Sequence, residues 1–107
     1  MPMYMFQAAY TSQAWAGQVK KPGNRLTAVG KMIKDSGGKV VASYYAFGQH
    51  DVVIIAEMPD NSAAAAFSIA AAASGALSHL RTTPLMTEAE GVKAIRAAGK
   101  SAYRPPA

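Results

Sequence analysis

The 107-residue sequence contains no cysteine. A disulfide framework and a thiolate metal site are therefore excluded, and nothing in the sequence indicates an oxidising compartment. Charged residues are few, at 16%, whereas hydrophobic residues make up 50% of the chain. This balance is typical of a single globular domain and not of a disordered chain.

Long hydrophobic runs are also absent. The most apolar stretch, residues 63–77, is mostly alanine and is shorter than a membrane span. The first ten residues lack the basic segment and apolar run that mark a signal peptide. We therefore predict a cytoplasmic protein that does not enter a membrane.

Acidic residues are scarce, with 6 against 11 basic residues and a net charge of +5. A basic surface can attract an anionic partner. However, the basic residues are scattered, and aromatic residues are not interleaved with them as they are in a nucleic-acid platform. We interpret most of them as solvated helix surface and do not expect nucleic-acid binding.

The centre of the chain organises the rest. Residues 40–47 and 52–58 are rich in β-branched and aromatic side chains, which predicts two strands. Between them, Gly48 is expected to adopt the positive φ of a short hairpin turn, and Asp51 is expected to bond nearby backbone N–H groups.

Helix signals lie on both sides of this hairpin. Asp60, which follows the strand-ending Pro59, is expected to cap an alanine-rich helix over residues 60–74. Asn24 is expected to open an earlier helix. The core stripe of that helix, at positions i, i+3, i+4 and i+7, is Leu26, Val29, Gly30 and Ile33.

A third helix is predicted near the C-terminus. Thr87 and Glu90 have the spacing of a capping box, and Val92 and Ile95 are expected to face inward. Residues 99–107 are predicted to be a flexible tail.

Residues 3–10 and 79–86 complete the set of strands, and Pro84 restricts the latter to a sheet edge. A β-α-β-β-α-β order with right-handed crossovers gives an antiparallel sheet in the order 4-1-3-2, with helices on one face. The sequence therefore predicts one α+β domain over residues 1–98.

Both faces of the first strand are largely apolar. Tyr4 and Phe6 share one face, and Met3 and Met5 share the other. A sheet in a small monomer usually shows one polar face to water. We therefore expect helices on one side and a second copy of the chain on the other, in a homodimer or larger oligomer.

The predicted sheet brings the ends of two strands and the starts of two others to one rim. The third and fourth strands lie about 10 Å apart with the first between them, so long side chains can converge on a small ligand. Arg81, which lies on the fourth strand, is also a candidate ligand-binding residue. The candidate ligand-binding residues at the rim are Tyr10, Trp15, Phe47, His50, Asp51 and His79.

Structural roles compete with this interpretation. Asp51 fits the hairpin turn, and Trp15 fits packing or an interface. His50 and Asp51 are adjacent in a strand, so their side chains point to opposite faces and do not form a dyad. Two histidines without other clustered ligands predict no metal site. The sequence contains no nucleotide-binding glycine loop and no hydrolase triad motif, and we expect no cofactor.

Glu57 is a candidate catalytic residue. It shares a strand face with Val53 and Ile55 in the middle of the sheet, where a carboxylate needs a polar partner. An ion pair with Arg81 would meet that need. Alternatively, Glu57 or His50 is a general base, with Arg81 stabilising an anion.

A family resemblance supports this organisation. Residues 48–51 (GQHD), the strand that follows with Glu57, and then Pro59-Asp60 resemble the GYD-domain proteins, as do residues 80–83 (LRTT) ahead of Leu85. The likeness spans nearly the whole chain. His50 stands where the family has its name-giving tyrosine, so no role that depends on that phenol is implied. The resemblance implies a ferredoxin-like fold in a dimeric α/β barrel, but no particular reaction.

The sequence is compatible with two functions. The first is a homo-oligomeric protein that binds a small molecule between its sheet and a partner subunit. The second is a cofactor-independent enzyme that acts on a small aromatic or carbonyl substrate. A third hypothesis is that removal of Met1 exposes the secondary amine of Pro2, in an arrangement similar to that of tautomerases.

Overall fold

Residues 1–106 are described by a computed structural model that contains four strands and four helices. The elements are β1 (Met3–Tyr10), α1 (Ser12–Lys20), α2 (Arg25–Asp35), β2 (Lys39–Tyr45), β3 (Val52–Glu57), α3 (Asn61–Ala73), β4 (Leu77–Leu85) and α4 (Glu88–Gly99). No helix within this range is long and apolar enough to cross a membrane.

The four strands form one antiparallel sheet in the order β2-β3-β1-β4. This is the predicted order read from the opposite edge, so the α+β prediction is confirmed. Phe6 in β1 lies opposite Ile54 in β3 and Thr82 in β4. The register of β2 against β3 shifts between Val40 and Ala42.

One face of the sheet packs against α2 and α3 to form the core. In β1 the buried side chains alternate with half-exposed ones, as expected where one face is covered. Ile33 in α2 and Phe67 in α3 close over this face. The strand residues buried beneath them are Tyr4, Phe6, Ala8, Val52, Ile54 and Ala56.

The other face of the sheet is less covered. Met3, Met5 and Gln7 in β1 and Val53 and Ile55 in β3 remain half-exposed. Directly opposed residues of paired strands share a face. The register therefore places Glu57, His79 and Arg81 on this same surface, which we call the open face.

The predicted helix starts are confirmed. The Asn24 side chain accepts a hydrogen bond from the N–H of Leu26 at 3.1 Å, and that of Asp60 accepts one from Ala63 at 2.8 Å. Thr87 and Glu90 form the complete capping box of α4. Each cap satisfies backbone donors that have no partner within the helix.

Two local predictions are wrong. Within residues 1–106, positive φ occurs only at Gly37 and Gly75, so Gly48 does not form the expected tight turn. Instead, the β2–β3 connection is longer and is closed by the Ala46 N–H, which donates to the Asp51 carbonyl at 2.7 Å. A longer connection can reverse the direction of the chain without a residue of positive φ.

The second wrong prediction concerns α4. Val92 and Ile95 were expected to face inward, but they are 45% and 72% exposed, and α4 buries none of its residues. Helical periodicity indicates an apolar stripe and does not say what covers it. The helix also continues through Gly99, the first residue of the predicted 99–107 tail, whose last residue, Ala107, lies outside the described range.

Gly38, between α2 and β2, is a position where a side chain has no room. A Cβ there would lie 2.7 Å from the Glu57 carbonyl oxygen and 3.0 Å from the Ile33 side chain. We expect Gly38→Ala to lower the free energy of unfolding by about 1–3 kcal/mol, because the backbone cannot yield to an added carbon. Urea denaturation measures this change.

Gly17 provides the matched control, since a Cβ built there meets nothing within 4 Å. It lies inside α1, where alanine is favoured over glycine by about 0.5–1 kcal/mol. Gly17→Ala should therefore stabilise the protein. Equal effects of the two substitutions would contradict the close approach at Gly38.

Candidate functional site

Asp51 ties three elements together at one rim of the sheet. One oxygen of its carboxylate accepts hydrogen bonds from the Tyr10 N–H at 2.8 Å and from the Trp15 indole N–H at 3.2 Å. The rings of Tyr10 and Trp15 meet edge to face with centroids 5.2 Å apart. Asp51 therefore joins the start of β3 to the end of β1 and to α1, instead of bonding the hairpin N–H groups as expected.

The two histidines meet on the open face at the same rim. His79 lies opposite Ala9, and its ring centroid is 5.4 Å from that of His50. The Nε2 atom of His50 is buried and has no hydrogen-bond partner within residues 1–106. In the same range, no three His, Asp or Glu side chains are grouped so that they could hold a metal ion.

The remaining predicted site residues do not join these clusters. Phe47 is fully exposed in the β2–β3 connection. Arg81 lies opposite Gln7, whereas Glu57 lies opposite Met3. That separation of four residues along β1 corresponds to about 13 Å. An ion pair between Glu57 and Arg81 of one chain therefore does not form.

A cavity of about 110 Å³ lies on the other side of the sheet, between the core face and helices α2 and α3. Its walls are mainly aromatic and aliphatic. Within the described residues, Arg25 is the only charged residue that lines it. Other lining residues are Phe6, Tyr10, Leu26, Ala71 and Leu80.

The cavity was not predicted from the sequence, although α3 carries a signal for it. Ala70 and Ala71 in this helix, and Ser74 directly after it, line the cavity, where larger side chains would fill the space. Small residues on a helix usually indicate close packing of neighbouring backbones. Here they leave a gap over the sheet.

Polar groups gather where the cavity reaches the rim. The Arg25 N–H donates to the Tyr45 hydroxyl at 2.9 Å, and that hydroxyl donates to the Asn24 side chain at 3.2 Å. Burial raises the pKa of the Tyr10 phenol above its ordinary value, Tyr45 and Asp51 raise it further, and the Arg25 guanidinium opposes the rise. The phenol is therefore a neutral hydrogen-bond donor at physiological pH.

Comparison with known proteins identifies one family. The family model described as the GYD domain matches residues 4–95, a range that includes most of β1 and reaches into α4. The resemblance seen in residues 48–51 and 80–83 is therefore confirmed. No curated protein matches the chain.

Proposed function

Because the chain belongs to the GYD domain family, we propose that it is a homo-oligomeric protein that binds a small molecule in the cavity between the sheet and helices α2 and α3. The observation that carries this proposal is the cavity itself, which has apolar walls and polar groups at its rim. Such a combination is the usual form of a small-molecule site. The sequence-based hypothesis instead put the ligand on the opposite side of the sheet, next to a partner subunit.

The size of the cavity restricts the ligand. A closed cavity of about 150 Å³ lined by aliphatic and aromatic side chains binds benzene in another protein. The present cavity of about 110 Å³ is smaller, and the exposed side chain of Arg25 marks its opening. It is suited to a single ring or a short branched chain whose substituent extends outside.

The open face supports self-association. Met3, Met5, Val53 and Ile55 are apolar and only half-buried in a single chain. A second copy that packs on this face would remove them from water, which stabilises association by about 25 cal/mol per Å² of apolar surface, before the costs of association. In this arrangement the cavity stays on the outer side of each sheet.

The enzyme hypothesis gains no support from the geometry. Glu57 lies on the open face, and neither it nor His50 lines the cavity. The two alternative bases are also far apart, because His50 precedes β3 and Glu57 is its last residue, so at most one of them could act on a small substrate. We therefore propose a binding function.

Filling the cavity tests this function. Ala71 lines the cavity, and we expect Ala71→Leu to weaken benzene binding by about tenfold or more, which corresponds to about 1.4 kcal/mol. The added carbons occupy the space that the ring needs. Titration of the ¹⁵N-labelled protein with benzene, followed by NMR shifts of amides in α3, measures the affinity.

Ala72→Leu is the matched control, because Ala72 is exposed on the same helix and does not line the cavity. It adds the same carbons and should leave the affinity unchanged. If Ala71→Leu bound benzene as tightly as the wild type while remaining folded, the cavity would not be the binding site.

A further inference from the structure

We propose that the ligand is a small organic anion, whose carboxylate contacts Arg25 and Tyr10 at the rim while its apolar body occupies the cavity. This inference rests on the proposed function and specifies its ligand class. The walls of the cavity are apolar apart from Tyr10, Arg25 and Ser74.

The charge at the rim favours an anion. Among residues 1–106, Arg25 is the only charged residue that lines the cavity. The carboxylate of Asp51 is nearby but is not part of the lining, and it already accepts hydrogen bonds from the Tyr10 backbone N–H and the Trp15 indole N–H. A guanidinium binds a carboxylate through two parallel charge-assisted hydrogen bonds, which the single carbonyl oxygen of a neutral amide cannot accept in the same geometry.

The backbone that carries Arg25 is fixed independently of its side chain. Its N–H donates to Tyr45, and the preceding residue, Asn24, caps α2. Arg25 is also the first residue of this helix, where the positive end of the helix dipole adds to the attraction for an anion. The Arg25 side chain is therefore attached to the backbone at a defined position on the rim.

Tyr10 supplies a second donor. It lines the cavity beside Arg25, and its ring is held in place against Trp15. Its phenol keeps its proton at physiological pH, so it donates a hydrogen bond to a carboxylate and does not repel it. A charged and a neutral donor at one opening are a suitable pair for a single carboxylate.

Three probes that share one aromatic ring separate the effect of the charge from that of the apolar body. Benzoate, benzamide and benzene are each titrated against the full chain at low ionic strength, with NMR as the readout. We expect benzoate to bind at least about tenfold more tightly than benzamide. This preference should shrink as salt is added, because Arg25 is exposed and its charge is screened.

Arg25→Gln should abolish the preference for benzoate over benzamide, because it removes the only charged side chain that lines the cavity within residues 1–106. The bond from the backbone of Arg25 to Tyr45 is kept in this variant, so we expect the helix start to be intact. Arg96→Gln in α4 makes the same change of net charge outside the cavity and should have no effect. Tyr10→Phe should reduce the preference without removing it.

The outcomes distinguish the two proposals. If benzene binds and benzoate binds no more tightly than benzamide, the anion inference is wrong and the proposed binding function stands. If none of the three probes binds the folded wild type, both are wrong. A preference that survives Arg25→Gln would also overturn the assignment to this residue.

Discussion

Phe6→Ala is expected to lower the free energy of unfolding by about 3–5 kcal/mol, the usual cost of deleting a buried phenylalanine side chain. Phe6 is only 2% exposed, and it meets Phe67 edge to face with ring centroids 5.0 Å apart. The substitution therefore removes contacts to α3 as well as apolar burial in β1. Since small domains are stable by only about 5–15 kcal/mol, urea denaturation should show a large fraction of the stability lost.

Phe47→Ala is the matched control, because Phe47 is fully exposed and its truncation should change stability by less than about 0.5 kcal/mol. A double-mutant cycle with Phe67→Ala isolates the ring contact, for which we expect a coupling of about 0.5–1.5 kcal/mol.

Phe6 also lines the cavity, so Phe6→Ala should enlarge it. Added benzene should then stabilise the variant more than the wild type. A cost below about 1 kcal/mol would contradict the packing at this position.

Ile55→Lys is expected to produce the largest effect on assembly. Ile55 lies opposite Met5 and Ala42, near the centre of the open face. If a second copy covers this face, the substitution buries an unpaired ammonium group, which costs several kcal/mol. We expect the dissociation constant of the oligomer to rise by about a hundredfold or more, which corresponds to about 2.8 kcal/mol. Sedimentation velocity over a range of concentrations measures it.

Ile69→Lys introduces the same charge on α3, where Ile69 is 68% exposed. This control should leave assembly unchanged. Dissociation by Ile69→Lys and not by Ile55→Lys would place the interface on the helical side of the protein. A wild-type chain that sediments as a monomer at micromolar concentration would contradict self-association altogether.

The parts of the fold that the sequence predicts are those with local causes. The caps at Asn24 and Asp60 and the box at Thr87 each depend on residues no more than three positions away. The strand order follows from the sequence of elements together with general rules of connection. These features need no knowledge of distant contacts.

The site was harder to predict because its contacts are distant in the chain. Asp51 accepts a hydrogen bond from the backbone N–H of Tyr10, which precedes it by 41 residues. The predicted topology brings both residues to one rim, but it does not indicate that this N–H is the partner of the carboxylate. Arg25 was not singled out from the other basic residues, because its relation to the cavity depends on how α2 packs over the sheet. Val92 and Ile95 also depend on distant contacts. Their spacing is that of a covered helix face, but within residues 1–106 no other element packs over them and they are exposed.

The two outer strands of the sheet also determine how copies of the chain can meet. In β2, the register shift between Val40 and Ala42 interrupts the regular row of donors and acceptors. In β4, Pro84 has no backbone N–H with which to pair with another strand. Irregular or proline-containing edges discourage pairing with the strands of another molecule. Growth into an endless ribbon of strands is therefore disfavoured, and the association that we propose across the sheet face would close into a particle of fixed size.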